Sequence, residues 1–99
     1  MHGSYVDVFV DGEKVIAQPD TAAMSVWVNA TWFESRGYHV EKDKGMVVAA
    51  NGSQMDVYGR GKLSFNMFGV QFKDFPVRLL EGMDSKILIG LRFIKSFGM

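Results

Sequence analysis

Cysteine is absent from the 99 residues. That excludes a disulfide framework and any thiolate metal site. Histidine occurs only as His2 and His39, too few and too far apart for a histidine-based centre, so neither metal nor cofactor is expected. No apolar run approaches the roughly 20 residues that span a bilayer. The N-terminus lacks the basic-then-apolar order of a secretory leader, which makes a soluble, intracellular and cytoplasmic protein the expectation. No charge of one sign prevails either: eleven basic and eleven acidic residues cancel, and they are interspersed rather than blocked, so capture of nucleic acid or of an anionic membrane is not expected. Asn29-Ala30-Thr31 and Asn51-Gly52-Ser53 match the glycosylation sequon, but without a leader they read as turn and cap residues.

What is present is apolar side chain, 47% of the chain, enough for one compact core and too little for two. Residues 1–99 are therefore read as one domain, with Met1-His2-Gly3-Ser4 resembling a cloning remnant. Val6, Val8 and Val10 alternate with Asp7, Phe9 and Asp11, the period-two pattern of a strand with one packed face. Asp11-Gly12 then predicts a tight hairpin, with Glu13 to Ala17 returning antiparallel and delivering Asp20 to a loop. Pro19, which cannot donate to a ladder, is expected to end or edge that strand.

Met24 to Val28 reads as a further strand. Thr31-Trp32-Phe33-Glu34 has capping-box spacing for a short helix stopped at Gly37. Tyr38 to Val40 resumes an extended pattern, and Glu41 to Gly45 reads as a charged surface loop. Met46 to Ala50 and Gln54 to Tyr58 bracket Asn51-Gly52, a strong hairpin signal; local pattern alone does not separate an ordinary surface hairpin from a functional one. Gly59 and Gly61 punctuate the chain before a strand with Leu63, Phe65 and Met67 on one face, and Gly69 allows a turn into further strands with Pro76 at an edge or bulge. Ile87 to Gly90 reads as a strand buried on both faces, and Leu91 to Phe97 as a short amphipathic helix.

Two stretches carry a resemblance. Ala17-Gln18-Pro19-Asp20-Thr21-Ala22-Ala23-Met24-Ser25-Val26 is similar to the active-site segment of retropepsin-like aspartic proteases, where an apolar strand runs into Asp-Thr/Ser-Gly-Ala. Ile87 to Gly98, with the pattern Ile-Leu-Ile-Gly-Leu-x-Phe-Ile-x-x-Phe-Gly, resembles the family's closing strand and helix, with Arg92 where many retrotransposon members carry aspartate. The elements between also come in family order. The resemblance implies an all-β, single-lobe retropepsin-like β-barrel with one or two short helices. It also makes Ala49, Ala50, Asn51, Gly52 and Ser53 the flap, a hairpin that closes over bound peptide.

The glycine of the motif is missing. With one residue deleted, Asp20 and Thr21 fall in the catalytic places; without a gap, Pro19 replaces the acid. The first register is preferred because Lys14 to Ala17 then match the entering strand. Aspartic proteolysis needs two carboxylates sharing a proton, and a chain of this kind supplies one, so the resemblance implies a homodimer with Asp20 and Thr21 at its axis. Little precedes Tyr5 and nothing follows Met99 in this sequence, so the dimer is expected to rest on these loops, the flaps, and Phe93 or Phe97 of the final helix. A shortened loop without glycine misplaces the acid, and about 1 Å of error costs on the order of a hundredfold in rate. The favoured expectation is a degenerate protease serving as a homodimerisation or protein-interaction module of a larger protein. The alternatives are an active homodimeric aspartic endopeptidase of retrotransposon type and a peptide-binding module using the former substrate cleft; read by itself, Asp20 is an ordinary turn residue.

Overall fold

The computed structural model describes residues 5–21, 23, 25–49 and 52–96. Its strands are β1 (Val6–Val10), β2 (Glu13–Asp20), β3 (Val26–Asn29), β4 (Glu41–Val48), β5 (Gln54–Met67), β6 (Val70–Leu80) and β7 (Ile87–Gly90), with helices α1 (Ala30–Ser35) and α2 (Leu91–Lys95). They lie side by side in the order β1-β2-β7-β3-β6-β5-β4, and β1 also pairs with β5. That last pairing closes six strands into a barrel and leaves β4 outside it, on the edge of β5.

Alternation fills the barrel. Val6, Val8 and Val10 of β1, Val15 and Ala17 of β2, and Leu63, Phe65 and Met67 of β5 all point inward and are buried. β7 is covered on both faces, as its unbroken apolar run predicts: Ile87 and Ile89 join the barrel core, while Leu88 joins a second cluster with Ala23, Trp27, Leu80 and Met83. Val47, Met55 and Val57, from the two arms of the β4–β5 hairpin, pack on that second cluster. The hairpin is therefore seated by apolar burial outside the barrel wall.

Turns follow their residues. Asp11 and Gly12 both take positive φ, 52° and 79°, the type I′ geometry that matches the twist of the strands it joins. Phe68 and Gly69 repeat it at 54° and 76° between β5 and β6. The first turn is tied to α1 by Arg36, whose guanidinium donates to Glu13 at 2.9 Å and to Asp11 at 3.2 Å. The Tyr38 hydroxyl also donates to Asp11. That hydrogen bond, then the one from Arg36, holds the exposed Asp11 carboxyl below its ordinary pKa.

Several local expectations are corrected. β2 does not end before Pro19 and does not hand Asp20 to a loop: it runs through Asp20, pairing Pro19 with Ile89 and Asp20 with Gly90 of β7. β1 flanks β2 only as far as Ala17, and a strand with one open side tolerates proline. β3 starts at Val26 rather than Met24, and Met24 lies outside the described residues. The cap of α1 is Asn29, not Thr31: its side-chain oxygen accepts from the Trp32 N–H at 3.0 Å, while its amide donates to the Met83 carbonyl at 3.0 Å.

Glu41 to Gly45 belongs to β4, not to a loop. Both its faces are exposed, which hides a strand from a hydrophobicity pattern, and Arg60 across the ladder pairs with Glu41 and Asp43 at 3.5 and 3.7 Å. Charge and a register shift between Lys42 and Gly45 blunt this open edge against further pairing. Gly59 and Gly61 do not interrupt β5. A Cβ at Gly61 would lie 2.6 Å from Cζ of the buried Phe33, and one at Gly59 would collide with the Glu41 carbonyl, so both serve close packing rather than turning. The stretch expected as several strands after Gly69 is the single β6, bulged where Asp74 takes φ 51° and donates its N–H to the Ser64 hydroxyl.

Candidate active site

β2 and β7 run parallel, and their carboxyl ends place Asp20 beside Gly90. The Gly90 N–H donates to the Ser25 carbonyl at 2.6 Å. A Cβ there would strike the Ala23 carbonyl oxygen, so only glycine lets Ala23 and Ser25 lie against the end of β7. Asp20 is 8% exposed, the only buried polar or charged residue among those described.

Above it stands the β4–β5 hairpin. Its tip is closed by bonds from the Ala49 N–H to the Ser53 carbonyl, 2.8 Å, and from the Gly52 N–H to the Ala49 carbonyl, 2.9 Å, with Gly52 at φ 88°. Between hairpin and β2 lies a cleft of about 790 Å³. Asp20, Thr21, Ala49 and Ser53 all line it, so residues nearly thirty positions apart in sequence share one surface. Ala50 and Asn51 lie outside the described residues, as does Phe97.

Phe93 lines no part of the cleft. It is half-buried on α2, with ring centroids 5.6 Å from Phe72 and 5.2 Å from Phe75 of its own chain. The sequence reading missed the far wall, which Met55 and Asp56 of β5 and the segment from Glu81 to Ser85 provide. That segment reads in sequence only as a polar loop. Its position follows from Asn29 holding Met83 and from the Glu81 N–H donating to the Asp56 carbonyl at 3.0 Å. Among the described residues no group of three or more histidine, cysteine or acidic side chains is arranged to hold a metal, and no helix is long and apolar enough to cross a membrane.

A closed six-stranded barrel with a buried carboxylate at a strand end, facing a cleft beneath a hairpin, has the retropepsin-like aspartic protease fold. Solved structures with this fold include a retropepsin-like aspartic protease from Rickettsia conorii, 20% identical over 93% of this chain and 77% of that one, with a TM-score of 0.65. The retroviral protease-like domain of Ddi1 from Leishmania major is 24% identical over 96% and 77%, TM-score 0.63. Simian Foamy Virus (mac) protease is 19% identical over 96% of both chains, TM-score 0.57. Residues 6–96 match the family described as "gag-polyprotein putative aspartyl protease", and the chain belongs to that family. No curated protein matches the sequence.

Proposed function

We propose that this retropepsin-like domain is a protein-interaction module that holds an extended peptide in the cleft beneath the hairpin, associates as a homodimer about Asp20 and Thr21, and has lost efficient proteolysis. The observation that carries the reading is the cleft itself, which joins Asp20 and Thr21 to both ends of the hairpin tip. An extended ligand lying there meets strand ends and hairpin backbone, groups suited to main-chain hydrogen bonding. What supports the loss of efficient proteolysis is the sequence of the loop, where alanine rather than glycine follows Asp20-Thr21, since small errors in placing the acid cost large factors in rate. Phe93, partly exposed beside Phe72 and Phe75, leaves an aromatic edge on α2 that a second copy would cover.

A second reading has its own support. A carboxylate buried at a cleft floor is the placement that aspartic peptidases use, and two Asp20 side chains meeting across a two-fold axis would complete the pair that shares a proton. Incubation with a diverse peptide mixture at pH 4–6, followed by mass spectrometry, separates the two. The interaction-module reading expects retained, uncleaved peptide for both the wild type and Asp20→Asn; cleavage by the wild type that disappears in Asp20→Asn establishes the endopeptidase instead.

A further inference from the structure

Beside the main cleft lies a recess of about 220 Å³, which shares Gln18, Asp84 and Ser85 with it and is walled by Tyr5 and Ile16. Tyr5 is 57% and Ile16 is 53% exposed. Their outward position is a consequence of alternation, since Val6 of β1 and Val15 and Ala17 of β2 take the barrel face. Two large apolar side chains thus stand in water next to a carboxylate. Gln18 precedes Asp20 by two residues on one strand, so the recess opens roughly 7 Å along β2 from the acid.

Chemically the recess is amphipathic: apolar walls, then Asp84 where it meets the cleft. Lysine and arginine match that order, with a methylene stem to lie along Tyr5 and Ile16 and a cationic head to reach Asp84, or to sit over the Tyr5 ring. An apolar side chain would leave Asp84 unanswered, and an acidic one would be repelled. The surrounding cleft has the same preference. Its ionisable lining residues among those described are Asp20, Asp56, Glu81 and Asp84, with no lysine, arginine or histidine, although the whole chain balances eleven basic with eleven acidic residues. A cleft lined by one sign of charge concentrates ligands of the other.

We propose that the peptide taken by this cleft carries a lysine or arginine, whose side chain enters the Tyr5–Ile16 recess and pairs with Asp84. This rests on the reading of the cleft as a peptide site. Because Asp56, Glu81 and Asp84 are exposed, each contributes modestly, roughly 1.5- to 5-fold in affinity, and the preference weakens as salt screens it.

The test is fluorescence anisotropy of the full chain with four labelled peptides, identical except for one position bearing Lys, Arg, Met or Glu. The Lys and Arg peptides should bind roughly 1.5- to 5-fold more tightly than Met, and Glu more weakly by a similar factor. Asp84→Asn should reduce the discrimination, Asp84→Lys should reduce it further, and Ile16→Ser should weaken the Lys and Arg peptides selectively. These positions are exposed, so circular dichroism should report intact folding. Binding without charge preference, or a preference undiminished in Asp84→Lys, overturns the recess assignment and leaves the cleft as a peptide site. Failure of the folded wild type to bind any of the four overturns the cleft reading and this inference with it.

Discussion

Gly90→Ala is the substitution on which the geometry around Asp20 bears most heavily. The added methyl would be driven into the Ala23 carbonyl, with the Ala23 carbonyl carbon and the Ser25 carbonyl oxygen each 3.1 Å away. These obstacles are backbone, which cannot swing aside as a side-chain tip can. Overpacking of this kind costs about 1–3 kcal/mol, and prising the segment away also endangers the bond from Gly90 N–H to Ser25, worth about 1 kcal/mol. A total near 3 kcal/mol lowers Tm by roughly 12–24 °C for a domain of this size. Thermal unfolding followed by circular dichroism measures it, and peptide binding should weaken in parallel because Thr21 must move. Gly45→Ala is the control: its Cβ would meet Val57 at an ordinary 3.6 Å, so a change within about 0.5 kcal/mol is expected. A Gly90→Ala variant melting within about 4 °C of wild type, the shift that 1 kcal/mol produces, would refute the close-approach argument.

Asn29→Ala removes both the α1 cap and the tie to Met83; about 1 kcal/mol for each predicts a Tm loss of roughly 8–16 °C, and Asn29→Ser should recover about half by restoring the cap alone. Asp11, whose carboxyl is held below its ordinary pKa by Tyr38 and Arg36, adds stability above the unfolded carboxylate value and loses it as pH falls through the lower folded value. Asp11→Asn should therefore melt below wild type at pH 7, with the gap narrowing below about pH 4; a gap constant from pH 7 to pH 2 would contradict this.

The sequence carried the barrel's inner face and its turns because these depend on local rules. Val6, Val8 and Val10 and then Leu63, Phe65 and Met67 alternate cleanly, and Asp11-Gly12 allows little but a tight turn. The first part of β4, Glu41 to Gly45, escaped because its exposed faces have no apolar period, and its pairing depends on Arg60, nearly twenty residues on. Gly59 and Gly61 look like breaks until Glu41 and Phe33 are known to press against them. The same limit applies at the site. Asp20 and the hairpin tip stand out through family resemblance, whereas Asp56, Glu81 and Asp84 belong to the cleft only because an asparagine cap and one backbone hydrogen bond fold a polar loop against β5. Tyr5 and Ile16 carry no local mark at all; their partnership with Asp84 is a product of the closed sheet.

Amide chemical-shift mapping during titration with an extended, lysine-containing peptide tests the central claim most directly, since it reports where a ligand sits without assuming chemistry. The account predicts perturbations concentrated at Gln18, Asp20, Thr21, Ala49, Ser53 to Asp56 and Glu81 to Ser85, with Tyr5 and Ile16 responding to the lysine but not to its methionine counterpart. Perturbations confined to the β5–β6 turn at Phe68 and Gly69, or to the outer edge of β4, would place recognition elsewhere and contradict it.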